Sequence, residues 1–135
     1  MTETLRLEVV TPSRRILEGR ASEVRIPGAL GELGILPGHT PLLTSLGTGE
    51  VKFTDGGTAG RLVVQGGFAE VQPDAVTVLA RVAETVDEID VEAARSELAN
   101  AQEQLKSASA DDFEEIDAAV RLAEARISAA TGSGA

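Results

Sequence analysis

The spacing of hydrophobic positions along this chain changes once, near residue 86. Before that point apolar and polar residues alternate in short runs such as Leu5–Val9, the period of strands that bury one face. After it apolar residues recur every three or four positions, the period of helices that bury one stripe. The pattern therefore predicts a strand-rich part followed by a helical part.

Turn residues divide the first part into many short strands. The predicted strands are Leu5–Val9, a short strand from Ile16 to Gly19, Ala21–Ile26, Leu42–Leu46, Glu50–Thr54, Arg61–Gln65, Phe68–Gln72 and Ala75–Ala80. Asp55–Gly57 predicts a hairpin turn, and Gly66 and Gly67 predict a close approach by another part of the backbone. Because the gaps are too short for crossover helices, we expect an antiparallel sandwich or barrel over residues 1–86.

Residues 87–135 predict two amphipathic helices joined by a short link. Asp87 and Asp90 are candidate N-caps of the first helix, and Asp111 or Asp112 of the second. The apolar stripes are Ala94, Leu98, Ala101 and Leu105 in the first helix, and Phe113, Ile116, Val120, Ala123, Ile127 and Ala130 in the second. The predicted fold class is an N-terminal antiparallel β-sandwich followed by a C-terminal antiparallel two-helix hairpin with a frayed tail from Thr131.

The seam between the predicted helices is half alanine. It allows the helix axes to approach closely but buries little apolar area, so it offers only a few kcal/mol beyond the entropy that it orders. Two interpretations stay open: a hairpin that can detach from the strands, and a pair of helices that is permanently folded.

Composition and charge exclude several classes of function. The chain has 12 basic and 22 acidic residues, a net charge of -10, no cysteine and only 2% aromatic residues. Residues 1–86 contribute -2 and residues 87–135 contribute -8. This balance opposes nucleic-acid binding, and the lack of cysteine excludes disulfides and thiolate metal sites. No apolar run approaches the roughly 20 residues that span a bilayer, so we expect a soluble intracellular protein.

The stretch Gly28–Leu43 carries the polar groups of greatest interest. Its glycines and prolines predict tight corners between short strands, with Glu32 and His39 displayed on bends. His39 is the single histidine, and the hydroxyl residues beside it form no nucleophile elbow. There is also no phosphate-binding loop, dinucleotide fingerprint or calcium loop, so we predict no catalytic residue and no metal site.

Two separated motifs carry a resemblance to a known family. Gly31–Leu42 (GELGILPGHTPL) and Val64–Val71 (VQGGFAEV) resemble the signature loop and strand pair of the epsilon chain of bacterial and chloroplast rotary ATP synthases. The mitochondrial delta subunit is the counterpart of this chain. The resemblance runs from Leu5 to about Ala130, and it implies a β-sandwich followed by two helices.

The resemblance also implies partners. The sandwich of this family binds the gamma subunit and the polar loops of the membrane c-ring, and it couples proton flow to rotation without doing chemistry. Glu32 would face the c-ring and His39 would lie near gamma. The helices of the family can extend along gamma towards the alpha and beta catalytic subunits and inhibit ATP hydrolysis. Because no basic, acid-poor leader precedes Leu5, we expect a bacterial protein at the cytoplasmic face of the cell membrane, held there through the complex.

Some members of the family bind ATP at the helices. The corresponding positions here are Glu84, Ile89, Asp90, Ala94 and Arg126, but Ala93, Asn100 and Leu122 stand where we align three arginines of the motif. Without those guanidinium groups most donors to the phosphates are lost. We therefore predict weak or no ATP binding and no cofactor.

Inhibition by the second helix is predicted to be weak. Residues 111–130 hold six acidic side chains against Arg121 and Arg126 alone, and this charge opposes docking on an acidic segment. The leading hypothesis is a non-catalytic coupling subunit of a rotary ATP synthase. The alternatives are a nucleotide-sensing module whose hairpin binds ATP, and a small β-sandwich enzyme with a pocket around His39.

Overall fold

The structure, a computed structural model, describes residues 3–132 as a strand-rich part followed by two helices. The strands are β1 (Leu5–Val10), β2 (Arg15–Ala21), β3 (Glu23–Gly28), β4 (Gly31–Ile35), β5 (Leu42–Ser45), β6 (Thr48–Asp55), β7 (Thr58–Gln72) and β8 (Ala75–Thr85). A 3₁₀ turn (Val86–Glu88) then leads to α1 (Val91–Leu105) and α2 (Ala110–Thr131). The predicted fold class is confirmed.

The strands pair in the order β2-β1-β8-β7-β6-β3-β4, and β5 pairs separately with β7. All pairs are antiparallel except that of β1 with β8, which is parallel. The prediction of a wholly antiparallel sheet was wrong at this pair. The remaining strands themselves connect β1 to β8, so no dedicated crossover helix is needed.

Strand β7 is one bent strand where the sequence predicted two. Its first part pairs with β6 and its second part pairs with β5, while β8 follows it along most of its length. Gly66 and Gly67 lie at the bend with φ values of 71° and 101°. A Cβ atom on Gly67 would lie 2.0 Å from the Leu79 carbonyl oxygen, which confirms the predicted close approach. The bend lets the sheet fold over, so that both of its parts cover one core.

That core is aliphatic. Its larger fully buried side chains are Leu5, Leu7, Val9, Val24, Ile26, Ile35, Val51, Leu62, Val64, Val71, Val76 and Val78. Phe53 is the aromatic residue that packs partly buried against it. Strand β2 runs through Gly19, which was predicted to end it, because Gly19 pairs with Leu7 of β1. The result is a rigid sandwich on which surface groups are held in fixed register.

The N-cap residue was predicted correctly for α1 and wrongly for α2. Asp90 caps α1 by accepting a hydrogen bond from the Ala93 amide at 3.0 Å, whereas Asp87 lies in the 3₁₀ turn. Ser109 caps α2, and Asp112 occupies the first turn together with Asp111. Asp111 and Asp112 were therefore wrong as candidate caps, because a serine one residue before the helix can accept from the Asp112 amide.

The helices pack as the predicted hairpin, and the predicted stripe holds for most of its length. The buried residues are Ala94 and Ala101 in α1, and Val120, Ala123 and Ala129 in α2. Phe113 is the exception, because it lies in the first turn of α2 at the tip of the hairpin and stays about half exposed. Thr131 ends α2 and Gly132 caps it in the left-handed conformation, so the predicted frayed tail falls largely outside the described residues.

Candidate functional site

Glu32 lies in β4 opposite Pro27 of β3, close to the tip of the β3–β4 hairpin. The turn itself is formed by Ala29 and Leu30, whose side chain is fully exposed. The bend predicted for Glu32 was wrong, because the turn is tight enough for pairing to resume at Gly31. The Glu32 carboxylate is partly exposed, and the hairpin therefore presents an apolar tip beside an acidic group.

His39 lies in the connection between β4 and β5, as predicted. Its Nδ1–H donates to the Thr40 carbonyl oxygen at 2.6 Å, which fixes the orientation of the ring. The Gly38 amide donates to the Pro73 carbonyl oxygen at 2.7 Å and ties this loop to the β7–β8 turn. Among the described residues, neither an acid nor a nucleophile forms a hydrogen bond with the imidazole.

An exposed apolar row crosses the outer side of the sheet, and the sequence reasoning missed it. Phe68 of β7 stands opposite Leu79 of β8, and Leu79 stands opposite Val10 of β1. Leu43 of β5 lies two pairs further along and on the same face, opposite Glu70 of β7. We call Leu43, Phe68, Leu79 and Val10 the apolar face.

Three of the four side chains of the apolar face are well exposed, and Val10 is partly buried. Leu43 is 69% exposed, Phe68 52% and Leu79 47%. An open groove of about 550 Å³ runs beside Phe68 and Leu79 towards Val10. The sequence held one signal for this surface, because Phe68 is in phase with the exposed Glu70 and Gln72 and out of phase with the buried Ala69 and Val71.

Polar contacts fix the hairpin on the strands. The Gln65 side chain donates from Nε2 to the Ala118 carbonyl oxygen of α2 at 2.8 Å and to Thr48 Oγ1 at 2.9 Å. Ser128 Oγ lies 3.4 Å from Glu50 Oε2, and the Glu50 side chain is only 8% exposed. Hydrogen bonds therefore specify where α2 sits on β6 and β7.

One arginine joins all three parts of this contact. Arg126 of α2 pairs through Nε with Glu84 Oε1 of β8 at 2.7 Å, and through Nη1 with Glu97 Oε2 of α1 at 3.2 Å. The side chains of Arg126 and Glu84 are 20% and 23% exposed. We call Glu84, Glu97 and Arg126 the Arg126 clasp.

The structure shows where the five positions of the predicted ATP site lie. Glu84 and Arg126 do meet, but as an ion pair within the clasp. Asp90 is the cap of α1 and Ala94 is buried in the helix seam, while Ile89 follows the 3₁₀ turn. Weak or absent ATP binding stays a prediction.

The connection from β8 to α1 is itself anchored. Glu88 accepts from the Thr85 amide at 2.9 Å and pairs with Arg14 Nη2 at 2.6 Å. The pKa of the Glu88 carboxyl is lowered below its ordinary value by three hydrogen bonds. The largest effect comes from the Thr85 amide, followed by the Arg14 guanidinium and the Thr85 hydroxyl. Because the pKa of Glu88 is lower in the folded state, its ionised carboxylate stabilises the fold at neutral pH. This stabilisation is lost as the pH falls through the folded-state pKa of Glu88.

Two further kinds of site are not found among residues 3–132. No helix there is long and apolar enough to cross a membrane. No group of three or more histidine, aspartate or glutamate side chains in this range could hold a metal ion. The fold and its surfaces define a class of protein in which a β-sandwich carries a hairpin of two helices and displays an exposed apolar face.

Comparison with known proteins gives this class a family. Residues 4–86 match the model of the ATP synthase delta/epsilon chain β-sandwich domain. The chain is 43% identical to the ATP synthase epsilon chain of Geotalea daltonii over 99% of both chains. It is 46% identical to that of Solibacter usitatus over 96% of this chain and 98% of the relative.

Solved structures agree. A chain of the Euglena gracilis mitochondrial ATP synthase, in a structure of its OSCP, F1 and c-ring parts, superimposes with a TM-score of 0.82 at 25% identity over 95% of this chain and 81% of that chain. The chain described here belongs to the ATP synthase epsilon chain family. It is a non-catalytic subunit of the central stalk of an ATP synthase, which confirms the resemblance given by the two motifs.

Proposed function

We propose that the sandwich docks on the gamma subunit through the apolar face and on the c-ring through the β3–β4 hairpin. It would thereby transmit the rotation of the ring to the stalk. The observation that carries this proposal is the apolar face, where Leu43, Phe68 and Leu79 stand exposed on paired strands. Apolar groups on rigid strands lose little entropy when a partner covers them.

Two features support the gamma subunit as the occupant of the apolar face. Aromatic and aliphatic side chains that project from a flat surface are typical of the centre of protein interfaces. His39 lies just before β5, and Leu43 is the second residue of β5. The loop predicted to lie near gamma therefore continues directly into the apolar face. The hairpin tip with Leu30 and Glu32 is a separate surface, and we assign it to the polar loops of the c-ring.

A single substitution tests the gamma contact. Phe68→Asp places a charge at the centre of the apolar face, and we expect binding to purified gamma subunit to weaken about 100-fold. Leu30→Asp is the matched control, because Leu30 is also an exposed apolar residue but lies at the tip of the β3–β4 hairpin, which we assign to the c-ring. Calorimetry or co-purification measures both. Unchanged binding of the Phe68 variant, or an equal loss in the Leu30 variant, contradicts the assignment.

The c-ring contact predicts a different defect. Glu32→Gln should leave gamma binding intact but reduce the protons pumped per ATP hydrolysed by roughly half, because the charged group at the ring surface is lost. Glu23→Gln is the control, since Glu23 also pairs with Arg25 but lies at the far end of β3. Proton pumping in membrane vesicles measures coupling. Full coupling in the Glu32 variant would assign the ring contact to another surface.

The hairpin is the regulatory part of this proposal. Six acidic side chains on α2 oppose its insertion beside an acidic segment of the alpha or beta subunits, so inhibition of hydrolysis is expected to be weak. The contacts with gamma and the c-ring would also hold the protein at the cytoplasmic face of the bacterial membrane as a peripheral subunit.

A further inference from the structure

Charges of opposite sign lie on either side of the pair formed by Phe68 and Leu79. Thr77, Leu79 and Arg81 alternate with buried residues of β8, so their side chains project from the same outer face of the sheet. Glu70 of β7 stands opposite Thr77 and places a carboxylate in the row on one side of Leu79. Arg81 places a guanidinium on the other side. Along β8 the outer surface therefore changes from acidic through apolar to cationic.

Arg81 has no acidic partner among the described residues. Apart from Arg20, every other basic residue makes at least one ion pair. Glu114 and Asp117 of α2 line a shallow groove together with Arg81, but neither carboxylate forms an ion pair with its guanidinium. Asp117 pairs with Arg121 instead, at 2.9 Å. The described part of the chain therefore leaves the charge of Arg81 available to a partner.

The fold holds Arg81 beside the apolar face. Its guanidinium lies over Gly66 at the bend of β7, where an added Cβ atom would be 2.3 Å from Arg81 Nε. Glycine therefore provides the space in which the guanidinium rests. Arg81 also lines the groove of about 550 Å³ beside Phe68 and Leu79, and among the described lining residues it alone is charged. Its positive charge is thus presented at the edge of a groove that is mainly apolar.

Glu70 is the second unpaired charge of this surface. Its side chain is exposed, and no ion pair of the described residues includes it. Glu8 of β1 belongs to the same row, but its carboxylate pairs with Arg15 at 3.1 Å. Thr77, which Glu70 faces, lies four residues before Arg81 in β8, so the two charges are separated by about 14 Å along the strand direction. One segment of a partner, such as about nine residues of an α-helix, spans that distance.

We propose that Arg81 and Glu70 fix the orientation in which the gamma subunit docks on the apolar face, with a carboxylate of gamma on Arg81 and a cation of gamma on Glu70. The inference rests on the proposed function, since it takes gamma as the occupant of the apolar face. Apolar contacts have no direction, so Phe68 and Leu79 can be covered by a segment that runs either way. The two charges remove this ambiguity, because the reversed orientation brings like charges together.

Arg81 carries the larger of the two effects. Its planar guanidinium can hold a carboxylate through two parallel hydrogen bonds, which a single exposed ion pair cannot match. Arginine beside aromatic and aliphatic groups is typical of the residues that dominate binding at protein interfaces. Glu70 presents one carboxylate at the surface, where an ion pair contributes less to affinity and more to the selection of the correct encounter.

The test measures binding of the purified gamma subunit to the full chain by calorimetry. Arg81→Gln is expected to weaken binding about tenfold and Glu70→Gln about threefold, because each variant removes one ion pair. Arg81→Lys should recover part of the loss, since the ammonium keeps the charge without the second hydrogen bond. Arg20→Gln is the matched control, because Arg20 likewise has no ion pair within the described residues but lies on the edge strand β2.

An exchange of the two charges separates orientation from net charge. The double variant Arg81→Glu with Glu70→Arg keeps the net charge of -10 but places like charges at both contacts, so it should bind at least about 30-fold more weakly. Wild-type affinity of the double variant would overturn the inference, because gamma would then respond to the overall charge alone. An equal loss in the Arg20 variant would overturn it too.

The variants also distinguish this inference from the proposed function. If Phe68→Asp weakens binding while Arg81→Gln and Glu70→Gln do not, gamma docks on the apolar face but the charges do not orient it. If none of the three variants weakens binding, the apolar face is not the gamma site and the proposed function fails as well. Hydrogen exchange of α2 in the free Arg81→Gln variant should be unchanged. Faster exchange there would show that Arg81 supports the helices through Glu114, which overturns the inference.

Discussion

Replacement of Gly67 by alanine is expected to lower the free energy of unfolding by about 3 kcal/mol or more. Two effects combine at this position. The φ value of 101° is one that alanine rarely adopts, and the added Cβ would lie 2.0 Å from the Leu79 carbonyl oxygen of the paired strand. The clash can be relieved only if β7 and β8 move apart at the bend. The sheet folds over at this bend, so the movement would disturb the core. Chemical denaturation of the purified chain measures the loss.

Two other glycines separate the causes. Gly34→Ala adds a Cβ atom with nothing within 4 Å and without a positive φ, and its effect should stay within about 0.5 kcal/mol. Gly56→Ala meets no neighbour either, but its φ of 57° should cost about 1 kcal/mol. A Gly67 variant no less stable than the Gly56 variant would show that the strands adjust at the bend without strain.

Removal of the Arg126 side chain should release the hairpin from the sandwich. Arg126→Ala leaves Glu84 with no cation at a site where its side chain is 23% exposed, and we expect docking of the helices to weaken by about 2 kcal/mol. Glu97 adds little, because it is more than half exposed. Hydrogen exchange should speed up in α1 and α2 and stay unchanged in the buried strands.

Arg121→Ala is the matched control for the clasp. Arg121 pairs with Asp117 one turn away on the same helix, so its loss should leave the contact with the strands intact. A double variant with Glu84→Gln should recover part of the loss, since the unpaired carboxylate is then absent. If exchange in the helices is unchanged by Arg126→Ala, the other contacts of α2, among them the hydrogen bonds of Gln65 and Ser128, are sufficient to hold the hairpin.

The Arg126→Ala variant also tests whether the hairpin regulates the assembled synthase. Release of the helices should change ATP hydrolysis by less than about twofold, because α2 is acidic and the substitution removes one of its two arginines. A strong fall in hydrolysis would show that the freed hairpin inhibits despite its charge.

Much of the secondary structure was accessible from the sequence because its signals are local. Alternation in Leu5–Val9 and the stripes of the two helices depend only on which neighbours share a face, and the structure buries most of them as predicted. The glycine pair at the bend was also predictable, since few other residues tolerate such a backbone. Errors arose where a distant partner decided the outcome. Gly19 stays within β2 because Leu7 pairs with it, and β7 is continuous because β8 follows it through the bend.

The sequence by itself determined the class of fold and, through two motifs, the family. The tertiary structure alone decided which side chains act together. The apolar face joins residues of four strands, and the Arg126 clasp joins a strand with both helices. Each of these groups depends on strand register and helix docking between segments that lie far apart in the chain. The period of hydrophobic positions and the composition describe residues that are neighbours along the chain. They carry no information on which distant residue lies opposite a given residue on a paired strand.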